Sequence, residues 1–221
     1  MSDEFAGDAA SDEGSPTGQA KDRELPVWRI KTAHRRVLPD FIIIGAQRGG
    51  TTSLYRYLVE HPDIGPAHCK EVHYFDRYYD RGMDWYLAHF PERGEYAVAG
   101  EASPYYLFHP RVPERISNDV PNAKFVALLR NPIDRAYSQF QMNLRKGNEP
   151  LSFEEAIERE PERLAASDDP RDLSWRHHSY LSRGLYADQL RRWFEIFPRE
   201  QFMIIKSEAF YAEPERTVVI A

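Results

Sequence analysis

The chain has 221 residues, 42% apolar and 13% aromatic, enough to bury one sizeable core and too few for two ample domains. With 29 basic against 35 acidic side chains the formal charge is −6, which excludes nonspecific binding to nucleic acid or to an anionic membrane, so any anionic ligand must be held by local cations. Cys69 is the only cysteine, which excludes an internal disulfide and a CxxC metal site and fits a reducing compartment.

Residues 1–22 are rich in Asp, Glu, Ser, Gly and Ala, and Phe5 is their only large apolar side chain. Such a stretch cannot offset the entropy of ordering, so a disordered acidic tail is expected, followed by one domain over residues 23–221. No apolar run approaches the ~18 residues that span a bilayer, and the N-terminus lacks a basic-then-apolar signal, so no membrane insertion and a cytoplasmic location are expected.

Phe41-Ile42-Ile43-Ile44 is apolar without alternation, the pattern of a strand covered on both faces. It ends at Gly45. After a Gly-rich loop, Thr52 to Glu60 carries Leu54 and Leu58 at i and i+4 and stops at His61-Pro62, which predicts a helix. Tyr96 to Ala99, Lys124 to Leu129 and Gln201 to Ile205 read as three further buried strands among helical stretches. The fold class expected is α/β: three layers with a central parallel sheet and a P-loop-like strand-loop-helix unit.

Further on, Ser152-Phe-Glu-Glu155 reads as a capping box that starts a helix. Pro161 to Ser174 mixes Asp, Pro, Arg and Ser without periodicity and predicts a mobile loop that could gate a site. Gly184 to Phe197 places Leu190, Trp193, Phe194 and Phe197 on helical spacing as a core stripe. The chain stops as a helix begins at Pro214, which suggests a C-terminal truncation.

Chemistry concentrates in the loop Gly45-Ala-Gln-Arg-Gly-Gly-Thr-Thr-Ser53. A nucleoside triphosphate loop reads GxxxxGK[ST], with a Lys on the outer phosphates and a hydroxyl on Mg²⁺. Here Gly45, Gly50 and Thr52 hold three of the fixed places, but Thr51 stands where the Lys belongs and Arg48 puts a cation inside the loop. Without that Lys, ATP hydrolysis or kinase chemistry is disfavoured. A strand before the loop, a helix N-terminus after it and the hydroxyls of Thr51, Thr52 and Ser53 are what an anion site needs.

This loop resembles the 5′-phosphosulfate loop of sulfotransferases that use 3′-phosphoadenosine 5′-phosphosulfate, in particular the heparan sulfate sulfotransferase-like branch with its bacterial relatives. Two more segments agree in order: Arg130-Asn-Pro-Ile-Asp-Arg-Ala-Tyr-Ser138 is similar to the 3′-phosphate segment, and Lys70-Glu-Val-His-Tyr-Phe-Asp76 to the acceptor segment. The resemblance implies that Arg48, Gly49, Gly50, Thr51, Thr52, Ser53, Arg130 and Ser138 bind the nucleotide. It implies Glu71 as general base with His73 and Asp76 assisting, and Arg48 as a fixed donor to the leaving 5′-phosphate. Physically, alternation would turn Glu71 and His73 to one side of an extended segment, although Asp76 alone would equally suit a helix cap.

Segments Gly82 to Tyr86 and Gly100 to Tyr106 are similar to those that shape the acceptor cleft, but Ala102 stands where some glycan-modifying members have Lys. Tyr74, Phe75, Trp85, Tyr105 and Tyr106 suit either sugar stacking or the core. The expected reaction moves a sulfuryl group to a hydroxyl or amine of a carbohydrate or other small metabolite, without nucleic acid as partner and without a metal. The family's basic, Gly-containing loop that closes on the nucleotide is not seen after Ala209, which implies weak donor affinity if the natural protein ends at Ala221. The alternatives are a kinase-like or a noncatalytic nucleotide-binding protein.

Overall fold

A computed structural model describes residues 25–215. In chain order the elements are α1 (Val27–Lys31), β1 (Phe41–Gly45), α2 (Thr51–Val59), β2 (Ile64–Pro66), a π-helical turn (Tyr74–Tyr78), α3 (Met83–Leu87), β3 (Val98–Ala102), α4 (Val112–Asp119) and β4 (Lys124–Leu129). There follow α5 (Pro132–Arg145), α6 (Phe153–Glu158), α7 (Glu160–Ala165), α8 (Leu173–His178), α9 (Tyr186–Phe194), β5 (Phe202–Lys206) and α10 (Ser207–Ala212). The expected acidic tail, residues 1–22, and most of the helix expected from Pro214 lie outside the described residues.

All strand pairs are parallel, in the order β2-β3-β1-β4-β5. The β-branched run takes the middle: Phe41 is in register with Gly100 of β3 and with Lys124 of β4. Ile42 and Ile44 feed the larger core with Phe75, Tyr86, Phe125 and Trp193, while Ile43 feeds a second core with Leu54, Leu58, Val126 and Phe210. Both faces are thus covered, which is why the strand lacks polar alternation. Connections leave β1 toward β3 and leave β4 toward β5, so a crevice opens beyond the C-terminal ends of β1 and β4.

Three expectations need correction. The strand expected at Tyr96 to Ala99 instead spans Val98–Ala102. Gly100 and Glu101 read as its end, yet both are inside it: a Cβ on Gly100 would fall 2.3 Å from the Phe41 ring, and Glu101 is fully buried. The helix expected through Phe197 ends at Phe194, and of the aromatic stripe Trp193 and Phe197 are buried while Phe194 is 38% exposed. Residues 161–174, expected to be a mobile loop, contain most of α7 and the start of α8.

That segment is organised by distant partners, to which periodicity is blind. Trp175 Nε1 donates to the Leu164 and Ser167 carbonyls at 3.1 and 2.8 Å, and the Tyr105 hydroxyl donates to the Pro170 carbonyl at 2.7 Å. The buried Glu160 carboxylate accepts from the amides of Tyr180, Leu181 and Ser182 at 2.9, 2.6 and 2.8 Å. Ser152 forms the capping box expected of it.

Replacing Glu160 by Ala strands the amides that share its carboxylate, so Glu160→Ala should lose roughly 1–3 kcal/mol of stability. A urea midpoint that does not move would show that these bonds are dispensable.

Candidate active site

The loop after β1 is pressed against the neighbouring strand. Ala46 donates to the Leu128 carbonyl at 2.8 Å, and the Gly49 amide turns back to the Ala46 carbonyl at 2.9 Å. A Cβ on Gly49 would lie 2.5 Å from the Leu128 oxygen, so only glycine lets the chain pass. Gly50 then enters α2 with φ of 97°, a left-handed conformation that glycine adopts without strain. No side chain caps α2, and its first amides point out of the helix end beside the exposed Thr52 and half-buried Ser53, while Thr51 is buried.

On the α5 side of this loop stand the cations. Arg48, in left-handed backbone conformation, donates from Nε to Ser138 Oγ at 3.0 Å, and Arg130 donates to the Arg48 carbonyl at 3.4 Å. The pKa of Arg48 is lowered, by burial first and then by the guanidinium groups of Arg145 and Arg130. Like charges gathered at a helix N-terminus favour an anion between them. The structure therefore brings Arg48, Gly49, Gly50, Thr52, Ser53, Arg130 and Ser138 to one crevice. Arg48 gives its Nε–H to Ser138 of α5, and its terminal nitrogens keep N–H donors that can reach a phosphate oxygen, as the leaving-group role expected for it requires.

Glu71, His73 and Asp76 form a second group. His73 Nδ1 meets Asp76 Oδ2 at 2.8 Å and its Nε2 meets Glu71 Oε2 at 3.3 Å, while Lys70 Nζ reaches Glu71 Oε1 at 2.8 Å. The segment is not extended: Glu71 and His73 have φ of 61° and 56°. Two left-handed residues make a tight bend, and this bend, with no strand alternation, turns both side chains the same way. Asp76 caps nothing; it is fully buried against His73.

Burial opposes ionisation of Glu71, but the His73 hydrogen bond and the Lys70 ammonium hold its carboxyl well below the usual range. For His73 burial works to lower the pKa, yet the Asp76 charge and the two hydrogen bonds raise it above the ordinary 6.5. Asp76, against its own burial, is lowered by the His73 charge. The result is a carboxylate that stays ionised, is 34% exposed at its side chain, and is aimed by a buried pair.

Sequence reasoning missed several supports. Ser207 of α10 donates to the Gly49 carbonyl at 2.6 Å, and Tyr211 places its hydroxyl 2.7 Å from where a Cβ on Gly50 would sit. Buried Arg183 donates to Gln47 in the loop and to the Trp175 and Arg176 carbonyls at 2.9 and 2.7 Å, 4.6 Å from the Tyr105 ring centroid. No local signal marks Arg183: its neighbours Leu181 and Leu185 are exposed, and its partners lie elsewhere in the chain. Tyr74, Phe75, Trp85, Tyr105 and Tyr106 are all buried, so of the two readings left open for them, the core is the one seen.

Because the folded His73 titrates above 6.5, its ion pair stabilises the fold fully below that pH, and the effect fades as the pH rises through the raised value. Asp76→Asn should move the His73 ring midpoint downward in an NMR titration and lower stability most on the acid side of 6.5. An unmoved midpoint would deny the pair.

The sulfotransferase domain family matches residues 38–219. Among curated proteins, the chain is 33% identical over 180 residues to mouse (Mus musculus) heparan sulfate glucosamine 3-O-sulfotransferase 6, covering 81% of this chain and 50% of that protein. It is 35% identical over 205 residues to the human (Homo sapiens) bifunctional heparan sulfate N-deacetylase/N-sulfotransferase 3, covering 87% of this chain and 22% of that protein. The chain thus spans half or less of the length of these two relatives. The crystal structure of a sulfotransferase from Alicyclobacillus acidocaldarius superposes with a TM-score of 0.72 at 36% identity, covering 82% of this chain and 78% of that one. With the loop, the sheet order and the match over most of its length in agreement, the chain belongs to the sulfotransferase family.

Proposed function

We propose that this chain transfers a sulfuryl group from 3′-phosphoadenosine 5′-phosphosulfate to a hydroxyl of a carbohydrate or similar small acceptor. The observation that carries the reading is the pairing of two opposite electrostatic groups in one fold. A cation-lined helix N-terminus with glycines that leave no room for a Cβ suits a phosphate-bearing donor, and the Glu71–His73–Asp76 chain suits proton removal from an acceptor. The donor, when bound, supplies the sulfuryl group and a phosphate leaving group.

The chain's residues then have distinct tasks. Amides of the loop and of the start of α2, with Thr52 and Ser53, would hold the 5′-phosphate; Arg130 and Ser138 would hold the 3′-phosphate. Arg48 sits between these two sets and, being permanently charged, acts as a fixed donor and not as an acid. Glu71 accepts the acceptor's proton. His73, held by Asp76, keeps the Glu71 carboxylate in one orientation, and Lys70 keeps it ionised.

A carbohydrate acceptor is favoured by the relatives, whose names describe transfer to heparan sulfate. Ala102 in place of a lysine argues for an acceptor less acidic than that polymer.

Adenosine 3′,5′-bisphosphate should raise the melting temperature without added metal, and more than ATP with Mg²⁺ does; the reverse order would favour the kinase-like alternative. Glu71→Gln should lose sulfate transfer while keeping that thermal shift, whereas loss of both would reduce Glu71 to a structural residue. Arg48→Ala should lower turnover ~10²–10³-fold, with Arg48→Lys close to the parent. Normal turnover of Arg48→Ala would remove it from the mechanism.

A further inference from the structure

Glu101 is a carboxylate with no exposed surface, and among the described residues no basic side chain lies within ion-pair distance of it. Its partners are hydroxyls. Ser103 donates to Oε2 at 2.7 Å, and Tyr86 and Tyr106 donate to Oε1 at 2.8 and 3.3 Å. All three are buried. A buried carboxylate held by hydroxyls with no cation in contact is expensive, and a neutral side chain would be cheaper for stability alone.

Two of these hydroxyls also accept hydrogen bonds, and both from the bend that carries the acceptor-side residues. Ser103 Oγ accepts from the His73 amide at 3.2 Å, and the Tyr106 oxygen accepts from the Phe75 amide at 3.4 Å. The Glu71 amide is taken by the Ala102 carbonyl at 3.0 Å. Alternate amides at 71, 73 and 75 are thus held by the end of β3 and the turn after it. A hydroxyl can offer its lone pairs to an amide only while its proton points elsewhere, and an ionised carboxylate, which accepts and never donates, fixes that direction.

We propose that Glu101 is a positioning residue: by drawing in the Ser103 and Tyr106 hydroxyl protons it aligns the His73 and Phe75 amides, and so sets the left-handed bend that presents Glu71. This rests on the role of Glu71 given above. A glutamine at 101 would turn an NH₂ toward one of the hydroxyls, reversing a link. Protonation of the carboxyl does the same.

The groups that face Glu101 are Tyr86 of α3, Ser103 and Tyr106 after β3, His73 and Asp76 of the bend, and Tyr55 of α2, which feels its charge. Burial pushes its pKa up to about 7, against the pull of the Ser103 and Tyr86 hydrogen bonds. For an acid raised from 4.5 to about 7, the folded state holds the proton longer than the unfolded chain, so stability falls as the pH rises across that window. Alignment of the bend improves over the same window. Opposite trends of stability and of order in one pH range mark positioning, since a merely structural group moves both together.

The test compares the parent chain with Glu101→Gln and Ser103→Ala. His73 ring signals are followed by NMR from pH 5 to pH 9, with affinity for adenosine 3′,5′-bisphosphate as the control for an intact fold. In Glu101→Gln the nucleotide affinity should hold while the His73 midpoint falls toward its ordinary value and the bend's amide signals broaden. Turnover should fall about 10²-fold with KM for the donor unchanged, and the parent's rise in turnover through pH 7 should vanish. Should Glu101→Gln not fold, Ser103→Ala cuts the link to the His73 amide and carries the same readout. His73 signals that stay in place in a folded, nucleotide-binding variant overturn the proposal. Because these signals are read without an acceptor, the result decides for Glu101 even where no transfer reaction is found, an outcome that would count against the proposed function alone.

Discussion

The close approach of a loop to a strand carbonyl governs this molecule. Between Gly45 and α2 the chain must turn from the central strand into a helix while it passes the Leu128 oxygen, and the gap admits no side chain at Gly49. Everything around the gap is arranged to hold it: Ala46 bonds to that same oxygen, Ser207 fixes the Gly49 carbonyl from the end of β5, and Arg183 grips Gln47 from the α8 side. The amides of α2 consequently face outward from a rigid base, and a rigid donor set needs no reorganisation when an anion meets it.

Charge then divides the crevice into two ends. Arg48, Arg130 and Arg145 crowd the α5 side, where burial first and then mutual repulsion lower the Arg48 pKa. Glu71, Asp76 and Glu101 lie on the β3 side, where, among the described residues, only Lys70 and His73 provide hydrogen-bonded positive partners. The separation has a mechanical basis in the sheet order. β4 delivers Arg130, β3 delivers Glu101 and the supports of Glu71, and β1 between them delivers the loop. The carboxylates and the guanidinium groups are therefore held by different strands of one sheet.

Sequence revealed the parts whose physics is local. β1 was legible because burial on both faces leaves an unbroken apolar run, β4 because its ends are sharp, and the Ser152 cap because both of its partners lie within three residues. The loop was legible because glycine and hydroxyl residues crowd at one strand end. What escaped was set by distant partners. Nothing near Glu160 announces that it will accept three amides some twenty residues on. The three-residue edge strand β2 ends in Pro66, which suits an edge and gives no strand signal. Glu101 read as the end of a strand because a charge inside a parallel sheet is costly, and its cage of hydroxyls comes from two separate places in the chain, α3 and the turn after β3. The bend at Glu71 was read as extended because left-handed φ values in Glu and His have no compositional mark.

Ala102 shows how the same strand limits the chemistry beside Glu71. Its side chain is fully buried among Ile43, Leu54, Val126 and Leu128, on the face of the sheet opposite to the Phe75 and Tyr86 core that contains the bend. A lysine introduced there would have to bury its stem in that second core and find an exit for its ammonium. The cation beside the carboxylate is instead Lys70, half-buried and one residue away, which bonds Glu71 directly. A cation bound to the carboxylate keeps it ionised. The positive charge next to Glu71 is thus anchored on the bend itself and paired with the carboxylate there, and β3 carries none of it.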